Sequence, residues 1–146
     1  MDNIEKILIV ADDSPISVKA VHYGYALARQ LRAKVALLSV ENTLENPPDT
    51  LVPYEVPYAE SRFEHLENFL SAMERDYADG IETEKFVEEG NIKETVLRVA
   101  DKWKAQVIVA GTHARKDLGR LILGSTSEDI LHGSKIPMFI VPMDKD

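Results

Sequence analysis

Between Gly111 and Ser125 the chain reads Gly-Thr-His-Ala-Arg-Lys-Asp-Leu-Gly-Arg-Leu-Ile-Leu-Gly-Ser, a stretch rich in groups that hold phosphate. Glycine lets backbone approach a ligand closely, and the first turn of a helix presents unpaired N–H groups and a positive dipole end to an anion. The chemistry these residues suggest is a nucleotide site. The alternative is an ordinary strand-to-helix connection in which Gly111, Gly119 and Gly124 are turn residues, because short glycine motifs also match by chance. Arg115, Lys116 and Arg120 offer either cations for a β- or γ-phosphate or a solvated face. His113, beside the motif, is a further phosphate donor, whereas His22, His65 and His132 show no ligand spacing and read as structural or surface residues.

The elements that must position this stretch follow from apolar patterning. Ile7–Ala11, Val35–Val40 and Gln106–Ala110 are short runs rich in apolar residues, as expected of strands covered on both faces. Ile136–Val141 is a further strand, and Ile81–Val87 a charged one suited to a sheet edge. Between them fall helical patterns: Ser14-Pro15 opening a helix to about Arg32, Phe63 to Tyr77 inside a helix from Ala59 to Ala78, Asn91 to Trp103, and a capping box Ser125-Thr126-Ser127-Glu128 leading to Gly133. Asn42–Tyr58, with four prolines, is expected to be a long loop, either a lid or a surface excursion.

Alternation of strands and helices predicts an α/β fold: a doubly wound, five-stranded parallel sheet of order 3-2-1-4-5 with helices on both faces. In such a sheet the ligand crevice lies outside the carboxyl ends of the strands where winding reverses, here strands one and four. Asp12 and the Gly111 loop should therefore face each other across about a hundred positions of sequence.

With 146 residues, the chain is expected to form one domain over 1–146. A formal net charge of −8 disfavours nucleic acid and anionic membrane surfaces as partners. There is no cysteine, no apolar run near the ~20 residues needed to span a bilayer, and no leader-like segment, so a cytoplasmic location is expected.

At the residue level the loop resembles the nucleotide motif of the universal stress protein family: Gly, two residues, Gly, nine residues, Gly, then Ser or Thr. The matching positions are Gly111, Ala114 in place of the second glycine, Gly124 and Ser125. Ile-Leu-Ile-Val-Ala-Asp near the start and Ile-Pro-Met-Phe-Ile-Val-Pro near the end are also similar to the family, so the resemblance spans essentially the whole chain. It implies a dimer or related oligomer whose ATP-binding branch holds ATP or another adenine nucleotide in the crevice. Carried over by position, Asp12 would face the ribose and adenine side and the Val40 backbone the adenine. Gly111, Thr112, Gly124, Ser125 and Thr126 would line the phosphates. Two positions depart from the pattern. Ala114 adds a methyl group, and Asp13 stands where glycine is common; an extra carboxylate there would repel phosphate unless a cation such as Mg²⁺ intervenes, or it is simply a solvated residue before the helix cap.

Neither a Gly-x-Ser-x-Gly elbow nor a Gly-x-x-x-x-Gly-Lys-Ser/Thr loop is present, so dedicated catalysis is not supported. Slow ATP hydrolysis, or phosphorylation of Ser125 or Ser127, is the enzymic alternative; an interaction protein of the same fold with a vestigial site is the other. The apolar edge Ile136–Pro142 invites a twofold contact with a second copy, unless a loop or the Met143–Asp146 tail covers it.

Overall fold

Branched apolar residues at nearly every position of the inner strands leave no polar face, and the chain buries both sides of its sheet accordingly. The computed structural model describes residues 3–41, 58–112, 114–115, 120–121 and 125–142, with backbone alone at 58–61, 114–115, 120–121 and 125–126. The elements are β1 (Lys6–Val10), α1 (Pro15–Leu31), β2 (Lys34–Glu41), α2 (Tyr58–Tyr77), β3 (Thr83–Glu89), α3 (Ile92–Trp103), β4 (Val107–Gly111), β5 (Ala114–Arg115), β6 (Arg120–Leu121), α4 (Ser125–Gly133) and β7 (Met138–Val141).

Five strands form one parallel sheet of order β3-β2-β1-β4-β7, the arrangement expected from the alternation. Alternate residues of each strand enter opposite cores. Ile7, Ile9, Val35, Leu37 and Val109 pack beneath α1 and α2, with Ala20, Val21, Tyr25, Leu70 and Met73. Leu8, Ala36, Leu38 and Ile108 pack beneath α3 and α4, with Val96, Val99, Trp103 and Ile130. On the first face α1 comes so close to the sheet that a Cβ built on Gly24 would stand 2.4 Å from Ile9 Cδ1.

Several boundaries differ from expectation. The third and last sheet strands start two residues later than their apolar runs, at Thr83 and Met138. The stretch after β4 contains a two-residue antiparallel pair, Ala114–Arg115 with Arg120–Leu121, too short to announce itself by alternation. Ser14 is the N-cap of α1, but its side chain makes no capping hydrogen bond. Asn91 does cap as read, accepting from the Glu94 amide at 3.0 Å. The loop expected over Asn42–Tyr58 lies outside the described residues apart from Tyr58, which opens α2.

Candidate nucleotide site

A crevice opens at the carboxyl ends of β1 and β4, where the sheet changes its winding direction. Asp12 and Gly111 both line it, as topology requires, together with Val40 at the end of β2. Its remaining walls include Ser127, which the sequence offered as a hydroxyl near phosphate, and Ile16, Ser17, Ile92 and Ile130, which the sequence did not place in the site. Ile92 and Ile130 belong to helical apolar stripes that also serve the core, so their types alone carried no site signal.

The turn after β1 is held from several directions. Ala11 donates its amide to the Leu38 carbonyl at 2.9 Å, and the buried Ser39 hydroxyl donates back to the Ala11 carbonyl. Asp12 then folds against α1. Its amide donates to Ser17 Oγ at 2.8 Å, while its Oδ1 accepts from the Ser14 amide and the Ser17 hydroxyl, both at 2.9 Å. This is the local turn chemistry that a short carboxylate favours ahead of a helix. Among the described residues, Oδ2 of Asp12 has no partner, so one carboxylate oxygen remains for a ligand hydroxyl.

On the opposite wall Gly111 is ordinary strand backbone, and its lack of a side chain serves packing: a Cβ there would stand 2.9 Å from Ile16 Cγ1. The next residue, Thr112, is buried and donates its amide to the Val141 carbonyl at 3.0 Å. Ser127, in the first turn of α4, donates its hydroxyl to the Gly111 carbonyl at 2.8 Å. That bond ties the start of α4 to the end of β4, and the Ser127 hydroxyl is engaged in it. Ser125 and Thr126 begin α4, and Ala114 and Arg115 form β5. His113, Lys116, Gly119 and Gly124 lie outside the described residues.

Asp13 turns away to a different neighbourhood. His65 Nε2 donates to its Oδ2 at 2.8 Å, and Arg62 Nη1 approaches the same oxygen at 3.6 Å. Arg62 also donates through Nε to Glu41 Oε2 at 3.2 Å, and that Glu41 carboxylate is almost fully buried. Burial by itself would push the Asp13 carboxyl up; the His65 hydrogen bond and the charges of Arg62 and His65 outweigh it and hold the group below its ordinary value. No group of three or more His, Asp or Glu side chains among the described residues is placed to hold a metal ion. No helix among them is long and apolar enough to cross a membrane.

Fold and crevice together define a doubly wound α/β protein with its cleft at the topological switch point. The chain belongs to the universal stress protein family, whose sequence model matches residues 3–142. Universal stress protein MJ0531 of Methanocaldococcus jannaschii is 26% identical, over 97% of this chain and 84% of that protein. Universal stress protein A homolog 2 of Coxiella burnetii is 28% identical over 97% of each. Among solved structures, that of protein MJ0577 superposes with a TM-score of 0.83 at 22% identity, covering 98% of this chain and 99% of the other. The universal stress protein from Archaeoglobus fulgidus in complex with dAMP superposes with a TM-score of 0.66 at 15% identity, over 97% of this chain and 99% of the other. A universal stress protein in complex with cAMP gives 0.64 at 19% identity, over 97% and 98%.

Proposed function

We propose that the crevice binds an adenine nucleotide and that the protein works as a nucleotide-responsive module rather than a dedicated enzyme. The observation that carries this reading is that Asp12, whose Oδ2 has no partner among the described residues, lines a crevice whose walls supply Val40, Ile92 and Ile130. An apolar slot suits a purine, and a fixed carboxylate suits ribose hydroxyls. The N-terminus of α4, at Ser125 and Thr126, begins beside the end of β4 and offers helix amides to phosphate. Relatives of this fold in complex with dAMP and cAMP support the same ligand class. A Mg²⁺ accompanying a di- or triphosphate would be held mainly by the phosphates, because His65 and Arg62 already engage Asp13.

Two measurements test the reading. Nucleotide released on denaturing freshly purified protein is identified, and ATP, ADP and AMP are titrated calorimetrically. At least one of the three is expected to bind, and Asp12→Ala to weaken it about tenfold or more, the worth of one charge-assisted hydrogen bond. No released nucleotide and no heat from any of the three would overturn it. In this reading the second copy pairs through the Ile136–Pro142 edge, and the setting is cytoplasmic.

A further inference from the structure

The interactions around Asp13 form a clasp that the crevice itself does not contain. Arg62 and His65 project from the start of α2, Asp13 follows β1, and Glu41 ends β2, so four side chains join three elements at the rim of the site. The backbone next to Asp13 carries the one carboxylate the proposed site depends on. Asp12 is held from α1 by Ser14 and Ser17, and its neighbour Asp13 is held from α2 by His65 and Arg62. A two-residue segment held by side chains of two different helices has little freedom to rotate, and a carboxylate recognises a diol only when it is held in place.

We propose that His65 and Arg62 are positioning residues for Asp12: through Asp13 they fix the turn that aims Oδ2 into the crevice, and so set how strongly the site discriminates for ribose hydroxyls. This rests on Asp12 meeting the ribose. Its physical content is a division of labour between adjacent carboxylates, one spending its oxygens on α2 and the other keeping one for the ligand. Asp13 then has a use in place of glycine, since glycine could not reach α2. The buried Glu41 carboxylate keeps the Arg62 side chain in place, because leaving that charge without its partner is costly.

The test compares ATP with its 2′,3′-dideoxy analogue, which lacks both hydroxyls. The wild-type chain is expected to prefer ATP by about tenfold or more. In His65→Ala that preference should shrink several-fold while affinity for the dideoxy analogue stays nearly constant; His65→Gln, whose amide can still donate to Asp13, should restore it. Loss of stability alone would lower both affinities together and leave their ratio unchanged. As a second variant, Arg62→Met with Glu41→Met removes the cation without stranding the buried carboxylate, and it too should lower the ratio. Wild-type ratios in both variants would overturn the proposal. Should the wild-type chain bind neither nucleotide, the nucleotide reading fails and amide exchange decides the clasp. The Asp12 and Ser14 amides should exchange faster in His65→Ala than in the wild type, and equal rates would overturn it.

Discussion

Adjacent carboxylates with different surroundings set the residue-scale behaviour of this protein. Asp13 is held below its ordinary value of 3.8 by His65 and Arg62, so its contribution to stability is present above the unfolded-state pKa and is lost as pH falls through the lowered folded one. Denaturant titrations between about pH 6 and pH 2 should show a steeper acid loss in the wild type than in Asp13→Asn. Because 40% of the Asp13 side chain is exposed, solvent screening keeps the difference under about 1 kcal/mol. Identical slopes would show that the contact with α2 does not favour the ionised form. Both aspartates are legible in the sequence, where Asp13 reads either as a carboxylate that needs a cation beside phosphate or as a solvated residue before the helix cap. What met it was a histidine and an arginine from a helix some fifty residues away, and no spacing rule links those positions.

At the scale of elements, packing fixes how near each helix can approach its strand. Gly24 lies on the buried face of α1 and leaves space for Ile9, which is fully buried. An alanine there gains about 1 kcal/mol of helix propensity but forces its Cβ onto Ile9, and overpacking in a filled core costs about 1–3 kcal/mol. Gly24→Ala is therefore expected to be neutral to destabilising alone and clearly better tolerated in an Ile9→Ala background, which removes both Cδ1 and Cγ1, the two atoms a Cβ at position 24 would meet. A double-mutant cycle by urea denaturation measures that coupling, and strict additivity would contradict the packing account. Gly111 follows the same logic: its type suggested phosphate contact, and the structure adds Ile16 as the neighbour that requires it to be small. Sequence placed helix starts well where a cap or Pro was present, as at Pro15 and Ile92. It missed β5 and β6 because two residues cannot display a period.

For the whole molecule, the sheet order leaves β3 and β7 at its margins. The β3 margin carries Glu84, Lys85, Glu88 and Glu89, and Lys85 pairs with Glu74 at 2.8 Å. β7 carries no charge, and Phe139 is 38% exposed. An edge of that kind favours pairing with a second copy. Sedimentation should find the wild type dimeric and Phe139→Asp monomeric with an unchanged far-ultraviolet spectrum; a monomeric wild type, or a dimeric variant, would remove β7 as the contact.

By itself the sequence determined the class of fold, the strand order, and the meeting of Asp12 with Gly111. Those follow from local patterning and the handedness of crossovers, which act on any chain with this alternation. Tertiary structure alone decided that Asp12 spends one oxygen on α1 and keeps the other, that Asp13 belongs to α2, and that Ile16, Ser17, Ile92 and Ile130 complete the walls. Those choices depend on which side chains distant elements bring within hydrogen-bond or van der Waals reach. Such distances are set by the packing of two cores, which residue order does not display.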